Sequence, residues 1–281
     1  MNIVTLVENT ASRVGVIAEW GLSILVEVGG LKVLLDTGQS ASVVHNASVL
    51  GIDLSTIDKI IISHGHFDHT GGLRQLLMAM RKEVEVIAHP DIWDAKYVQR
   101  TSEEVYRYIG IPFQKEELES LGASFTLTSE PVWISDRIVT TGEILMLTDY
   151  EKIDANLYVK REGVFCPDSL KDDMALVVKT SQGLVIVAGC AHRGIVNTMR
   201  HAQKLTGVEA IDTVVGGTHL ICATEEQVEL TIAELKGLGI QRLGTSHCTG
   251  FPASVRLAKE FGDIFFPNNA GTRLKLPDNN F

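Results

Sequence analysis

Between residues 63 and 70 the chain reads Ser63-His-Gly-His-Phe-Asp-His-Thr70, three histidines and an aspartate within six positions. The apolar run Lys59-Ile-Ile-Ile-Ser63 leads into it as a buried strand, and Leu73, Leu76, Leu77 and Met80 follow at helical spacing. Imidazole and carboxylate at a strand-to-helix turn are the donors that hold zinc, iron or manganese, and Gly65 lets the backbone bend so that alternate side chains converge. One segment cannot close a coordination sphere. The fold therefore has to bring other loops to this strand end, as open α/β sheets do at the carboxyl ends of their strands.

The candidates for those loops are few. His192 (Ala188-Gly-Cys-Ala-His192), His219 (Gly216-Gly-Thr-His219) and His247 (Gly244-Thr-Ser-His247) each stand just past an expected strand, so the three can share one rim. His45 and His201 fall in helical stretches and are set aside as satisfied or solvated side chains. His89 ends a strand at His89-Pro-Asp91, where a structural role is favoured over a ligand role.

Around these residues the chain alternates. Short apolar runs at 2–7, 22–28 and 31–35 separated by Gly29-Gly30 predict hairpins, and 84–88 and 138–141 predict further strands. Residues 92–108 read as mostly helical. The stretch 149–173 carries 11 charges in 25 positions with little periodicity and reads as an exposed loop or lid. A hairpin over 175–180 and 184–188 opens a second α/β half, with helices at 195–205 and 224–238 and strands at 213–215, 242–246, 264–266 and 272–276. Both halves run from hairpin to strand-helix units, which two similar layers packed face to face would explain.

With 281 residues, 45% hydrophobic, the chain has ample material for a core without disulfides. A formal charge of -10 argues against a nucleic-acid surface. The N-terminus lacks a basic region followed by a long apolar run, and Leu184 to Ala191 is too short to cross a bilayer, so a soluble, cytoplasmic protein is expected. Cys166, Cys190, Cys222 and Cys248 have no C-x-x-C spacing and read as reduced thiols. Oligomeric state stays open.

The Ser63–His69 segment resembles the H-x-H-x-D-H signature of the metallo-β-lactamase superfamily, and Leu34-Leu-Asp36-Thr-Gly38 is similar to that family's early Asp-containing strand end. Within it, SHGHFDHTGGL (63–73), DDMALVV (172–178), AGCAHRGIVNT (188–198), GGTHL (216–220) and SHCTG (246–250) resemble the dihydropterin phosphate synthase-like branch. This resemblance implies an α/β fold, an αββα sandwich of two mixed sheets flanked by helices, as one domain over 1–281 with a lid or insertion within 94–173. It also implies two divalent metal ions, zinc foremost, with iron and manganese admissible. His64 and His66 would hold the first, and Asp68, His69 and His247 the second. The family's usual third histidine is missing before the 175–188 hairpin, and His192 is taken as its substitute. Its usual bridging aspartate is also replaced: Cys190 ligates, or Asp173 bridges instead, with a buried, inert Cys190 as the alternative.

A pair of cations would lower the pKa of a shared water toward about 7, so no Ser-His-Asp arrangement is needed. Asp68 or Asp173 would orient that water and take its proton. His219, Arg193 and Thr249, with backbone N–H groups near the helix beginning at Gly194, are candidates for phosphate oxygens; simple turn-making explains the same glycines. The leading expectation is a metal-dependent hydrolase or related transferase acting on a small phosphate-bearing metabolite. Its counterparts are a thioester, lactone or lactam hydrolase and a catalytically poor metal-bearing sensor.

Overall fold

In the computed structural model, which describes residues 1–100 and 105–277, the chain opens with β1 (Asn2–Val7), β2 (Ser23–Val28) and β3 (Leu31–Leu35), paired antiparallel. There follow α1 (Ser42–Val49), β4 (Lys59–Ile61), α2 (Phe67–Thr70), α3 (Leu73–Met80) and β5 (Val84–Ala88). The central stretch contains β6 (Ala95–Gln99), β7 (Tyr106–Tyr108), α4 (Lys115–Ser120), β8 (Ala123–Leu127), β9 (Ile138–Thr140), β10 (Leu157–Arg161) and β11 (Val164–Pro167). The remainder is β12 (Ala175–Thr180), β13 (Gly183–Ala188), α5 (Ile195–Thr206), β14 (Ile211–Gly217), α6 (Glu225–Gly237), β15 (Arg242–Ser246), α7 (Phe251–Phe261), β16 (Phe265–Pro267) and β17 (Arg273–Lys275).

Two mixed sheets result, ordered β17-β1-β2-β3-β4-β5-β8 and β16-β15-β14-β13-β12-β9. Period-two alternation decides how they stack, because successive side chains of a strand face opposite ways. Ile24 and Val26 of β2, Val33 and Leu35 of β3, Leu176 and Val178 of β12, and Val185 and Val187 of β13 join one buried cluster between the sheets. Their neighbours turn outward onto helices: Leu25 and Leu34 meet Leu73, Leu76 and Leu77 of α3, while Val177 and Ile186 meet Val196 and Met199 of α5. Each such side chain contributes roughly 1.5–3 kcal/mol by leaving water. Helix, sheet, sheet, helix is the layer order expected from the sequence.

Two expectations are corrected. Residues 92–108 are not helical: Pro90–Trp93 forms a single 3-10 turn and β6 and β7 pair antiparallel, while 101–104 lie outside the described residues. Nor is 149–173 only a loop, because β10 and β11 form a hairpin whose turn, Glu162-Gly163, has positive φ at both positions. β6, β7, β10 and β11 together make a third, four-stranded sheet ordered β11-β10-β6-β7. Among the described residues no helix is long and apolar enough to cross a membrane, and all four cysteines are free.

Candidate metal centre

The site lies where β3, β4, β13, β14 and β15 end. Asp36, Ala191, His219 and His247, each at or just past the end of one of these strands, adopt left-handed φ between 51° and 61°. Such conformations are costly for residues with a Cβ and persist where the surroundings hold them. Two glycines let the backbones close up: a Cβ on Gly65 would stand 2.4 Å from the Ile92 carbonyl oxygen, and one on Gly189 would stand 2.0 Å from Ser63 Oγ. Asp172 Oδ2 accepts the Gly65 N–H at 2.8 Å, fixing the bend between the first two histidines.

His64 Nε2 lies 3.0 Å from His66 Nδ1 and 3.2 Å from His192 Nε2, all three side chains buried. Burial holds these imidazoles in the neutral form, with His66 down at about 3 and His64 and His192 well below their ordinary value, each lowered further by cationic neighbours. A neutral imidazole carries one N–H, so three ring nitrogens converging this closely leave lone pairs facing one another. His66 Nε2 and His192 Nδ1, the other nitrogens of two of these rings, are buried without a partner.

A second group stands beside the first. Asp68 Oδ2 is 3.2 Å from His247 Nε2 and 4.0 Å from His69 Nε2. Burial opposes ionisation of Asp68, but the surrounding imidazoles prevail and hold its carboxyl below the usual range. His69 Nδ1 sits 2.7 Å from Asp36 Oδ2, whose carboxylate also accepts the Ser63 N–H and hydroxyl. Against the cost of burial, Asp36 and Asp68 raise His69 to about 9. Cys190 Sγ lies 3.1 Å from His69 Nε2 and groups both with His64 and His69 and with His192 and His219. The donor set, imidazoles with a carboxylate and a thiol at facing distances, fits divalent cations of the zinc class.

Other expected residues are placed differently. Asp173 belongs to none of the candidate metal-holding groups among the described residues; its Oδ2 accepts the Arg193 N–H at 2.9 Å, Oδ1 is buried without a partner, and burial pushes the carboxyl up to about 7. Arg193 directs its guanidinium to Glu143 and the Ser169 carbonyl. Thr249 is fully buried and accepts from the Thr218 hydroxyl. The first turn of α5 is already filled, because Glu151 accepts the Val196 and Asn197 N–H groups at 2.8 Å, so no outside anion is needed there. His89 accepts the Asp91 N–H and caps the 3-10 turn, His45 reaches the Gly15 carbonyl, and His201 the Thr141 carbonyl.

A cavity of about 570 Å³ opens over the cluster, lined by His66, Asp68, Cys190, His192 and His247. His219 also lines it, its Nε2 3.0 Å from Asp154 Oδ2; burial opposes its charge, but Asp154 and Cys248 raise it to about 10. Trp20 and Phe67 form apolar walls, and Val98, Arg100, Arg107, Ile109 and Leu157 come from or flank the third sheet. Sequence reasoning missed these last residues. Their signal was the alternation in β6, β7 and β10, hidden by charged residues.

A family model described as the metallo-beta-lactamase superfamily matches residues 21–138. The 7,8-dihydropterin-6-methyl-4-(beta-D-ribofuranosyl)-aminobenzene-5'-phosphate synthase of Methanocaldococcus jannaschii is 36% identical over 272 residues, 92% of this chain and 90% of the relative. The crystal structure of Tm1679, a metal-dependent hydrolase of the beta-lactamase superfamily, superposes with a TM-score of 0.86 at 30% identity, covering 99% of this chain and 100% of that one. Zinc-bound PqqB from Methylobacterium extorquens shares the fold at a TM-score of 0.56 and 12% identity, over 98% of this chain and 100% of its own. With histidines, sheets and relatives in agreement, the chain belongs to the metallo-β-lactamase superfamily.

Proposed function

We propose that this protein is a dinuclear metal-dependent enzyme acting on a small phosphate-bearing metabolite, by chemistry like that named for the M. jannaschii relative or its hydrolytic counterpart. The observation that carries the reading is the convergence of His66 and His192 nitrogens on His64 Nε2, at 3.0 and 3.2 Å, beside the Asp68, His69 and His247 group. His64 Nε2, His66 Nδ1 and His192 Nε2 would hold one cation; Asp68 Oδ2, His69 Nε2 and His247 Nε2 would hold the other. Cys190 would take the shared position, since its sulfur groups with His64 and His192 of one set and with His69 of the other. Zinc is the first choice for this donor set, with iron and manganese admissible. When bound, the cations supply charge neutralisation for phosphoryl oxygens and a water of lowered pKa.

The chain's own residues do the rest. Asp68 lines the cavity and is the catalytic carboxylate, its second oxygen free to orient a water and accept a proton. His219, held by Asp154, offers a cationic donor to a phosphate oxygen. Asp173, Arg193 and Thr249 act from behind the surface as positioning residues, Asp173 by fixing the turn that carries His192. Residues 94–173 form the substrate-covering insertion of a single domain, and the third sheet walls the cavity. Free thiols fit a reducing cytoplasm.

Elemental analysis of the purified protein, with turnover of bis(p-nitrophenyl) phosphate measured before and after chelation, tests the reading. About two equivalents of metal and an activity lost with chelator and restored by metal are expected. A protein that binds no metal, or hydrolyses ester and lactone probes but no phosphoester, would overturn it.

A further inference from the structure

The third sheet has two chemically different faces. Tyr97, Tyr106, Tyr108, Tyr158 and Phe165 pack as aromatic neighbours on one side. The register Leu157↔Val98↔Arg107 sets the other row, and these three residues all line the cavity over the metal centre, together with Ile109 and Arg100. The cavity lining is therefore mixed: histidines, Asp68 and Cys190 of the candidate metal centre, Asp154 beside His219, apolar side chains, and Arg100 and Arg107 from the third sheet and its flank.

Those two arginines differ from several others of this acidic chain. Arg161, Arg200, Arg242 and Arg256 each hold a carboxylate. Arg100 and Arg107 have no hydrogen-bonded or ionic partner among the described residues, although the chain carries 35 acidic side chains against 25 basic ones. Guanidiniums with no partner among the described residues, set beside apolar walls, offer donors to an anion, and their planar forks match phosphate oxygens. A cavity of this volume also takes more than a lone phosphate.

We propose that Arg100 and Arg107 form a second anion subsite that selects substrates bearing two anionic groups, one reacting at the metal residues and one, a phosphate, held by the arginines across an apolar ring system. The inference rests on the phosphate-directed reading above. It names specificity-determining residues outside the metal-binding motifs.

The test compares adenosine 3′,5′-bisphosphate with adenosine 5′-monophosphate, measured by calorimetry on the metal-loaded protein at low salt. Wild type should bind the bisphosphate about ten-fold or more tightly than the monophosphate, roughly one strong charged contact. In Arg100→Gln/Arg107→Gln that advantage should fall below about two-fold, with monophosphate affinity, metal content and bis(p-nitrophenyl) phosphate turnover unchanged. Both side chains line the open cavity and have no partner among the described residues, so the fold should tolerate the change. No bisphosphate preference in wild type, or an equal preference in the variant, overturns the subsite while leaving the metal reading intact. Binding of neither nucleotide likewise overturns the subsite alone, whereas failure of the metal-loaded wild type to turn over the phosphodiester overturns both.

Discussion

Lys96 Nζ lies 2.9 Å from Asp172 Oδ1 in the protein interior, and a second carboxylate, Asp168, stands 2.8 Å away. Lys96 is 1% exposed. The ion cluster joins the third sheet to the metal motif, because the other oxygen of Asp172 accepts the Gly65 N–H. Removing one member of a buried ion group leaves the others uncompensated and costs about 3–5 kcal/mol. Lys96→Met should therefore lower stability by that amount in urea unfolding. Adding Asp168→Asn and Asp172→Asn should recover part of the loss. A single Lys96→Met variant as stable as wild type would show that the cluster does not anchor the sheet.

Lys96 also shows why the third sheet was hard to read. A lysine at an inward position breaks the alternation that identifies a strand, and its compensation comes from Asp168 and Asp172, more than 70 residues later. The hairpin of β10 and β11 is masked by Lys160, Arg161 and Glu162, which belong to its exposed end. By contrast β2, β3, β12 and β13 were legible because their burial is apolar on both faces. The histidines were legible because each follows a strand and their chemistry is specific. Arg193 and the start of α5 misled for the opposite reason: the anion at that helix is Glu151, from a segment with no motif.

Glu151 should leave a signature in the pH dependence of stability. Burial pushes its carboxyl above the ordinary 4.5, against the opposing N–H groups of Val196 and Asn197 and the Thr148 hydroxyl. The folded protein then keeps a proton that the unfolded chain has released, so stability falls as pH rises from about 4.5 through the folded value and is flat beyond. Glu151→Gln cannot titrate. The stability of wild type minus that of the variant, from urea unfolding between pH 4 and 7, should decline with rising pH. A constant or rising difference would contradict the burial argument.

Asp36 holds His69 Nδ1 and belongs to none of the candidate metal-holding groups among the described residues, the arrangement by which carboxylates fix a ligand's tautomer. Asp36→Ala should weaken metal binding by about 10–100-fold, read by competition with a chromophoric chelator. His66→Ala should lose metal and activity together. His219→Ala should keep its metal and raise KM, because its imidazole faces the cavity and Asp154 and lies outside both the His64, His66 and His192 group and the Asp68, His69 and His247 group. Equal metal affinity in Asp36→Ala and wild type would remove the positioning role.

Cys190 and Asp173 compete for the position between the two candidate metal groups, and their surroundings separate them. The Cys190 sulfur lies 3.1 Å from His69 Nε2, whereas the Asp173 carboxylate is turned to the Arg193 backbone N–H. Cys190→Ala removes a shared donor and should lower metal content below that of wild type, with the cobalt-loaded protein losing its sulfur-to-metal charge-transfer absorption. Asp173→Asn keeps the N–H acceptor and removes the cost of a buried charge, so metal content should hold and stability at neutral pH should change by less than about 1 kcal/mol. Loss of metal in Asp173→Asn with full retention in Cys190→Ala would reverse the assignment and make the aspartate the bridge.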